Sequence, residues 1–369
     1  MRIAFDHQIF GWQKYGGISR YIYELARNLS DYPEHQVRIF APLHVNQYIA
    51  GAKEDVDISG MRVPNLPKSG PVYRMISALV ERSMMSHWRP DIVHETYYAG
   101  RKPGARHAKI VITVYDMIHE RIGKRTARGN DAVREKLRAV QRADHIICIS
   151  QHTRKDLMEL FSIPEEKTSV VHLGFSLTRP RGRADDMMPP APNPYLLYVG
   201  NRGGYKNFAA MVQAYAQSKI LREHYDVLCF GGGQFTADEG NMVAGLGVRR
   251  KAVRQLSGGD DQLRSLYRGA AALVYPSLYE GFGIPPLEAM SEDCPVACSN
   301  ATSLPEVVGD AAELFDPRDV GAIQQAMERV VGDRALRETL INRGRERIQG
   351  FSWARCARET LAIYERVLS

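Results

Sequence analysis

The sequence has few cysteines and no long apolar run. Its five cysteines form no CxxC pair and lie mostly in apolar segments, which is typical of reduced, buried thiols and argues against disulfides or a metal site. No run approaches the roughly 20 apolar residues of a helical bilayer crossing. The start, MRIAFDHQIF, lacks the basic segment, apolar stretch and cleavage site of a signal peptide. We therefore expect a cytoplasmic protein that uses no metal or other cofactor.

The overall composition is typical of a soluble globular protein. Its 369 residues are 44% hydrophobic and 25% charged, enough for two domains with separate cores. The net charge of +7 is uneven, because residues 1–190 carry 29 Lys+Arg against 21 Asp+Glu, whereas residues 191–369 carry 20 against 21. Such an excess favours phosphates or anionic lipid head groups, and no nucleic-acid motif accompanies it. The alternative is a solvated basic face without a partner.

Apolar runs and helical periods alternate in both halves of the chain, which is typical of parallel sheets covered by helices. The fold class predicted is α/β, with two Rossmann-like, doubly wound domains. Strands are predicted near residues 2–6, 36–41, 91–94, 110–115, 145–149, 169–172, 195–199, 226–230, 272–276, 295–299 and 312–315. Residues 176–194 are rich in proline, glycine and charge and have no period, which predicts a linker between domains at 1–180 and 190–350.

Two carboxylates stand eight positions apart in one segment, SLYEGFGIPPLEAM. Glu280 follows a predicted strand in a glycine-rich loop, and Glu288 lies in the first turn of a helix whose start is marked by two prolines. Such a helix start favours an anion such as phosphate. Because carboxylates would repel a phosphate that they touched, we expect them to accept hydrogen bonds from sugar hydroxyls on either side of it. The alternative is that they only end a turn and stabilise a helix start.

A second loop of the same type, YVGNRGGYKNF, also follows a strand and precedes a helix. Its Arg202 and Lys206 are cations on a glycine-rich turn and could neutralise a diphosphate. The alternative is that both are exposed loop cations without a ligand.

The first half offers weaker candidates. Gly16 and Gly17 precede the first helix, where backbone can approach a ligand closely, and they are candidates for donor binding. Sugar or acceptor contacts are predicted by position alone for the residues after two strands, namely Asp116, His119, His94 and Glu95. For His94 a structural role is at least as good an interpretation.

Two further patterns are set aside. Asp55 and Asp57 form a DxD sequence, but they stand in a polar stretch with no further ligand. The glycines at 231–233 lack the ending of a Walker loop, so we expect them to give backbone room beside a nucleotide.

Several segments resemble the retaining glycosyltransferases of family four: PSLYEGFGIPPLEAM, PVACSNATSLPEVVGDAAELFDP and FSW in the second half, and GGISRY, DIVH and VITVYDMIHE in the first. The likeness covers most of residues 192–369 and is thinner before them. It implies a GT-B architecture, in which two Rossmann-like domains face a cleft. By this resemblance residues 1–180 bind the acceptor, residues 190–350 bind the nucleotide-sugar donor, and a closing helix in 351–369 packs back on the first domain.

The resemblance also implies roles for particular residues. Glu280 would lie by the donor sugar and Glu288 would hold the nucleotide ribose. The donor's sugar and phosphates would be met by the amides of Phe282, Gly283 and Ile284 and by the cations Arg202 and Lys206. Tyr115 and Asp116 stand where many relatives have His-Asp, a histidine often assigned to the donor sugar. By this position Tyr115 is a candidate donor contact that could hydrogen-bond a sugar hydroxyl, and its role in catalysis is an open question.

The reaction implied is transfer of a hexosyl unit to an acceptor hydroxyl with retention of anomeric configuration, for which Glu280, Asp116, Arg202 and Lys206 are the catalytic candidates. We favour GDP-mannose as donor and a glycan or lipid-linked oligosaccharide as acceptor, because the relatives that this sequence resembles build bacterial surface polysaccharides. The alternatives are a UDP-sugar donor, double displacement through Glu280, and a catalytically silent scaffold that binds sugar nucleotides.

The segment VYRMISALVERSMMSHW at 72–88 has apolar residues at helical spacing with arginines among them. We favour a helix whose apolar stripe faces the core. The other interpretation is a helix that lies on an anionic membrane surface and holds the protein at the inner face of the membrane.

Overall fold

The computed structural model describes residues 1–51, 55–64, 70–100, 104–105, 107–123, 127–175, 193–249 and 251–369. The chain forms two compact units, Met1–Gly174 with Ser352–Ser369, and Phe175–Phe351. The predicted linker at 176–194 lies outside the described residues except for its last two.

The first unit is built on a seven-stranded parallel sheet in the order β3-β2-β1-β4-β5-β6-β7. Its strands are β1 Arg2–Phe5, β2 Gln36–His44, β3 Asp57–Arg62, β4 Ile92–Glu95, β5 Lys109–Val114, β6 His145–Cys148 and β7 Thr168–Val170. Its helices up to residue 174 are α1 Gly17–Ser30, α2 Gly70–Trp88, α3 Ile118–Arg121, α4 Ala127–Arg142 and α5 Gln151–Phe161.

The second unit has a six-stranded parallel sheet in the order β10-β9-β8-β11-β12-β13. Its strands are β8 Tyr195–Val199, β9 Asp226–Phe230, β10 Val253–Leu256, β11 Ala272–Tyr275, β12 Val296–Ser299 and β13 Glu313–Phe315. Its helices are α6 Phe208–Gln217, α7 Lys219–His224, α8 Ala237–Gly245, α9 Asp260–Gly269, α10 Ile284–Ser291, α11 Leu304–Val308, α12 Val320–Gly332 and α13 Arg334–Arg347.

The order of the strands creates a switch point in each sheet. In the first sheet the chain runs outward from β1 through β2 and β3, then returns to start β4 on the other side of β1. In the second sheet it runs outward from β8 through β9 and β10, then starts β11 on the other side of β8. Ligands of open α/β sheets bind beyond the carboxyl ends of the strands at such points.

Two strands were missed from the sequence, and both lie at the edge of a sheet. β3 (DISGMR) and β10 (VRQL) are largely half-buried or exposed, whereas the inner strands β8 and β11 are buried throughout. Buried parallel strands appear as continuous apolar runs, but an edge strand with an exposed face does not need one. Asp57, from the DxD sequence, lies on β3 and pairs with Arg38 on the neighbouring strand.

The closing helix α14, Trp353–Leu368, belongs to the first unit, where it packs on α1. Ser352 caps it by accepting a hydrogen bond from the amide of Arg355. The ring of Trp353 lies 6.2 Å from that of Tyr21 on α1, and the Tyr364 hydroxyl is 2.5 Å from Nδ1 of His94. These buried contacts explain why the first unit takes residues from both ends of the chain.

The apolar stripe of α2 does not face the core, so the favoured sequence prediction was wrong. Its large apolar side chains are 38% to 68% exposed, at Val72, Met75, Ile76, Leu79 and Val80. The buried face instead carries Ser77, Glu81 and Met85. Glu81 pairs with His7 at 2.9 Å and Ser77 contacts the backbone of β2, so polar groups anchor the helix. Among the described residues no helix is long and apolar enough to span a membrane.

Candidate active site

Lys206 and Glu280 meet at the switch point of the second sheet. Lys206 ends a short 3-10 turn that follows β8, and Glu280 lies in the loop that follows β11. The Lys206 Nζ is 2.6 Å from Oε1 of Glu280 and 3.4 Å from the hydroxyl of Tyr275. Both charged side chains are largely buried, with 16% and 12% of their surface exposed. The structure thus brings together the predicted cation and the first predicted carboxylate.

The backbone around Glu280 is held by a neighbouring loop to whose residues the sequence analysis gave no role. The Glu280 amide donates to the Thr302 hydroxyl at 3.0 Å, and the Ser303 hydroxyl donates to the carbonyls of Glu280 and Phe282 at 2.9 Å. Two sequence signals were available: both hydroxyls follow β12, the next strand in the sheet, and both lie in the segment PVACSNATSLPEVVGDAAELFDP that resembles the family. These bonds fix the backbone of the loop that carries Glu280.

Gly283 begins α10 in a conformation that only glycine adopts readily. Its φ is +114°, and a Cβ there would lie 2.6 Å from a methyl carbon of Leu304. Ile284 is the first helical residue, prolines follow within the first turn, and Phe282 is buried. The amides predicted to meet a phosphate therefore lie at or beside a helix N-terminus, and their role stays a prediction.

Glu288 lies one turn into α10 and is 7% exposed. Its Oε2 accepts a hydrogen bond from the Tyr267 hydroxyl at 3.2 Å, and burial together with this carboxylate raises the pKa of Tyr267 well above its usual value. Glu288 is therefore not an exposed charge at a helix start. Its predicted contact with a ribose is untested.

Among the predicted site residues, Arg202 departs most from its predicted role, which was to neutralise a diphosphate. Its guanidinium pairs with Glu239 at 3.1 Å and donates to the carbonyls of all four residues from Gly231 to Gln234 at 2.9 to 3.3 Å. It also lies 4.8 Å from the ring centre of Phe235, and only 2% of its side chain is exposed. An arginine has five N–H donors, and protein acceptors already surround these. In this conformation Arg202 holds the glycine-rich loop and does not stand open as a diphosphate clamp.

That loop, at 231–233, has three successive residues with positive φ, between +70° and +88°. A Cβ at Gly232 would lie 2.8 Å from a terminal nitrogen of Arg202 and 3.1 Å from the Gly200 carbonyl oxygen. The glycines therefore let the loop pass close to the turn after β8. At Gly232 that space is taken by the protein itself, whereas a Cβ at Gly233 would meet nothing within 4 Å. Backbone room beside a nucleotide stays a prediction.

In the first unit, the predicted residues Gly16 and Gly17 stand at the start of α1. A Cβ at Gly16 would lie 2.2 Å from Oε1 of Gln13, whereas one at Gly17 would meet nothing within 4 Å. Gly16 thus permits a close turn within the loop, and Gly17 exposes backbone.

Asp116 and His119 line a cavity of about 200 Å³ beyond the carboxyl ends of β4 and β5. The cavity is also lined by Trp12, Ile18, Tyr97, Tyr98, Tyr115, Ala132, Glu135 and Lys136. The hydroxyl of Tyr115 donates to the Thr96 carbonyl at 3.0 Å, and burial raises its pKa well above the usual value. Tyr115 therefore contributes its ring to the cavity wall, and its hydroxyl is engaged within the protein.

His94 and Glu95 lie in the core and not in the cavity, which corrects their prediction as ligand contacts. Both are fully buried. His94 lies between Tyr364 and Thr113 at 2.5 and 2.8 Å, and burial lowers its pKa to about 3. Glu95 forms a bidentate pair with Arg142 at 2.6 and 2.7 Å. His94 thus links β4 to β5 and α14, and Glu95 links β4 to α4.

Sequence reasoning also missed Trp12, Tyr97 and Lys136. Trp12 precedes the glycine pair and Tyr97 follows β4, so strand-end position was the available signal. Lys136 pairs with Glu120 at 2.9 Å in a nearly buried contact, which the sequence does not reveal. Among the described residues no group of three or more His, Cys, Asp or Glu side chains could hold a metal ion.

The chain matches two family models. Residues 188–347 match the model described as "Glycosyl transferases group 1", and residues 15–179 match "Glycosyltransferase Family 4". Together the two models cover most of both units. The chain belongs to the family-four glycosyltransferases. The family resemblance read from the sequence is thereby confirmed, and the loops that carry Lys206 and Glu280 lie in the glycosyltransferase group 1 region.

A named relative and two solved structures refine the comparison. The chain is 36% identical over 228 residues to "O-antigen chain mannosyltransferase B" of Escherichia coli, a match that spans 60% of this chain and 60% of that relative. Sucrose-phosphate synthase from Thermosynechococcus elongatus has a TM-score of 0.76 at 20% identity, with 99% and 98% of the two chains covered. Anabaena HepE in complex with UDP and glucose has a TM-score of 0.73 at 16% identity, with 99% and 100% covered. The predicted fold, two Rossmann-like units as in GT-B glycosyltransferases, is confirmed.

Proposed function

We propose that this glycosyltransferase moves a hexosyl unit from a nucleoside-diphosphate sugar to an acceptor hydroxyl, with retention of anomeric configuration. The contact between Lys206 and Glu280 carries the proposal. It places a cation and a carboxylate at a sheet switch point, beside the N-terminus of α10. The cation and the helix amides can neutralise a diphosphate, and the carboxylate can accept a hydrogen bond from a sugar hydroxyl.

In the proposed reaction the bond between the anomeric carbon and the diphosphate oxygen breaks while the acceptor oxygen bonds to the same face of that carbon. Lys206 and the α10 amides neutralise the diphosphate as it leaves, and the leaving oxygen takes the acceptor's proton. Glu280 holds the sugar and does not attack it. Arg202 acts indirectly in this scheme, by fixing the glycine-rich loop at 231–233. The scheme assigns no step to a metal or cofactor.

Two carboxylate variants test the assignment. Glu280→Ala is expected chiefly to lower kcat, whereas Glu288→Ala is expected chiefly to weaken donor binding. Steady-state transfer kinetics and donor titration calorimetry separate the two effects. Equal and slight effects from both variants would contradict the proposal. A glycosyl adduct on Glu280, sought by mass spectrometry, would replace it with double displacement.

GDP-mannose is the proposed donor, because the relative named above is a mannosyltransferase. The UDP in Anabaena HepE keeps UDP-sugars as the second candidate. A thermal-shift series with GDP-, UDP- and ADP-sugars distinguishes them, since a ligand at a hundredfold excess over its Kd stabilises the folded state by about 2.7 kcal/mol. The largest shift with a UDP-sugar would contradict the choice of GDP-mannose.

For the acceptor we propose a glycan or lipid-linked oligosaccharide at an anionic membrane surface, reached from the cytoplasmic side. The exposed apolar stripe of α2 supports this surface. The helix also exposes Arg82, and its one acidic residue, Glu81, is buried. An apolar stripe with cations and no exposed carboxylate on the same helix is complementary to anionic lipid.

Vesicle flotation tests the membrane contact. Wild-type protein should float with vesicles that contain phosphatidylglycerol and remain behind with pure phosphatidylcholine. The double variant Met75→Asp with Leu79→Asp should lose binding, and Ile220→Asp, which changes an exposed apolar residue of the second unit, should keep it. Equal flotation of all three proteins, or none with wild type at low salt, would contradict the membrane contact.

The second candidate, a silent sugar-nucleotide scaffold, is favoured by one observation, the engagement of the Tyr115 hydroxyl within the protein. Turnover decides between the two functions. Donor binding without transfer and without slow donor hydrolysis, across a range of glycan acceptors, would favour the scaffold.

A further inference from the structure

The exposed aromatic residues of this chain are confined to one loop. All of its three tryptophans, 18 tyrosines and 11 phenylalanines lie among the described residues, and only Trp12 and Tyr15 are exposed, by 53% and 63%. They stand three positions apart between a short 3-10 turn and α1. Large aromatic surface left in water is unfavourable and marks a binding surface when it is grouped.

Each of the two residues stands beside further rings. Trp12 lies 5.3 Å from Tyr97, measured between ring centres, and Tyr97 lies 4.7 Å from Tyr98. Tyr15 lies 5.7 Å from Tyr48, whose ring is nearly parallel to that of Tyr23 at 6.4 Å. Trp12 and Tyr15 therefore each belong to an aromatic platform whose other rings, Tyr97 and Tyr98 or Tyr48 and Tyr23, come from other segments.

The Trp12 platform stands where the first sheet is expected to bind a ligand. Trp12 is in the connection after β1, and Tyr97 directly follows β4, the strand on the other side of the switch point. Both rings line the cavity of about 200 Å³ that contains Asp116 and Glu135. This volume is below the usual range for drug-sized ligands, so it suits one ring rather than a whole nucleotide.

The loop backbone is fixed in place. The side chain of Asn46, itself fully buried, donates to the Gln13 carbonyl at 2.6 Å, and the Gln47 amide donates to the Lys14 carbonyl at 3.0 Å. The Ser19 amide donates to Oε1 of Gln13 at 3.2 Å. Rings presented on a fixed loop lose little conformational entropy when a ligand binds.

The polar groups near the platforms select the chemistry of the ligand. Asp116 and Glu135 line the cavity beside Trp12 together with Lys136, whose ammonium is paired with Glu120. The Arg74 guanidinium lies 5.1 Å from the centre of the Trp12 ring, and the Lys14 ammonium lies 6.0 Å from that of Tyr15. Asp55 accepts a hydrogen bond from the Tyr23 hydroxyl at 3.1 Å. Burial and the Asp55 charge raise the pKa of Tyr23 to about 12. Carboxylates accept hydrogen bonds from hydroxyls and the cations donate them, so charges of both signs suit a ligand that is neutral and rich in hydroxyls. A ring with one apolar face and a rim of hydroxyls, as in a pyranose, fits both features.

We propose that Trp12 and Tyr15 lead two sugar-binding subsites, so that the ligand of this surface is a neutral sugar chain and not a single sugar. The subsite of Trp12 and Tyr97 takes one unit, and the subsite of Tyr15, Tyr48 and Tyr23 takes another unit of the same chain. The interpretation of this sugar chain as the acceptor rests on the transfer reaction proposed above. The proposal that the two subsites bind sugar does not depend on that reaction.

Tryptophan fluorescence tests the first subsite without any donor. Of the three tryptophans only Trp12 is exposed, while Trp88 is half-buried and Trp353 is buried. Titration with α-linked manno-oligosaccharides of one to four units should give a saturable change whose affinity rises at least tenfold with length. Trp12→Phe should abolish the signal, and the control Trp88→Phe should keep it. Tyr15→Ala should lower affinity for the tetrasaccharide more than for mannose.

Three results would overturn the proposal. The first is no saturable change with manno-, gluco- or galacto-oligosaccharides, and the second is an affinity independent of length. The third is a combination of two results: Trp12→Ala and Tyr15→Ala lose binding to phosphatidylglycerol vesicles, and sugar titration of the wild type gives no fluorescence change. That combination would assign the loop to the membrane face. If wild type binds the tetrasaccharide but transfers no sugar from any donor, the proposed reaction fails and the sugar subsites stand.

Discussion

Lys206 and Glu280 carry opposite charges 2.6 Å apart in a largely buried setting, so their contributions should not be independent. Lys206→Met should lower kcat/KM for transfer by about 100- to 1000-fold, the usual cost of removing a preorganised group that stabilises developing charge. Glu280→Gln should lower it less. Because each residue positions the other, we expect the double variant to lose clearly less than the product of the two single losses.

A double-mutant cycle in kcat/KM measures this coupling. The matched cycle uses Arg345→Met and Asp293→Asn, an exposed ion pair of the same unit at 2.7 Å. That cycle should show little change in transfer. Losses at Lys206 and Glu280 that multiply without coupling would mean that the two side chains act on separate parts of the substrate.

For Arg202 we expect an effect on stability as well as on catalysis, because its guanidinium N–H groups donate to acceptors within the protein. Arg202→Met removes the partner of Glu239 and of the four carbonyls from Gly231 to Gln234, so it should lower the free energy of unfolding by about 3 kcal/mol. Donor affinity should fall with it as the glycine-rich loop loses its support. Thermal unfolding and donor calorimetry on the same samples check both effects.

Arg345→Met serves as the control for stability and should leave the unfolding temperature nearly unchanged, because its ion pair is exposed. If Arg202→Met abolished donor binding at an unchanged unfolding temperature, Arg202 would be the diphosphate clamp that the sequence predicted.

The sequence was informative about Lys206 and Glu280 because both follow local rules, namely a buried strand, a glycine-rich loop and a helix start. The partners of Arg202 could not be predicted in the same way. Its partner Glu239 is 37 positions away in the chain. The carbonyls that Arg202 binds are positioned by three successive glycines with positive φ. The same holds for His94, whose partner Tyr364 is 270 positions away. A polar residue near the end of a strand, such as His94 on β4, can turn into the core or out of it, and only the packed structure decides which.

At the scale of elements, α2 shows how a correct periodicity leads to the wrong face. The apolar stripe was visible, but the helix is anchored through Ser77 and Glu81, whose partners lie on β2 and at His7. Edge strands β3 and β10 were missed for the related reason that half-exposed strands need no apolar run. In each case the apolar pattern in the sequence did not match the surface that the element buries.

The exposed stripe of α2 makes a prediction about stability that is separate from membrane binding. Leu79→Asp and Met75→Asp should change the free energy of unfolding by no more than about 0.5 kcal/mol each, since both side chains are more than 60% exposed. Met85→Ala, on the buried face of the same helix, should cost about 2–5 kcal/mol. Urea unfolding measures all three. A loss at Leu79 as large as that at Met85 would restore the core-facing interpretation.

At the scale of the whole molecule, the first unit depends on histidines that burial keeps neutral. Burial lowers the pKa of His94 to about 3 and that of His145 to about 4. The unfolded chain binds protons at these residues below about pH 6.5, and the folded protein does not. Stability from these groups is therefore complete above that pH and is lost as the pH falls through it. His7 opposes this trend, because Glu81 raises its pKa against the effect of burial.

A variant separates His94 from the other groups. His94→Asn loses the contacts with Tyr364 and Thr113, so it should be less stable than wild type at pH 7.5. Below pH 6.5 each unit of pH should cost the wild type up to about 1.4 kcal/mol through His94, and the variant lacks that cost. The gap in unfolding free energy should therefore shrink between pH 6.5 and pH 4. Urea unfolding at half-unit intervals measures it, and a gap that stays constant would mean that His94 titrates alike in the folded and unfolded chain.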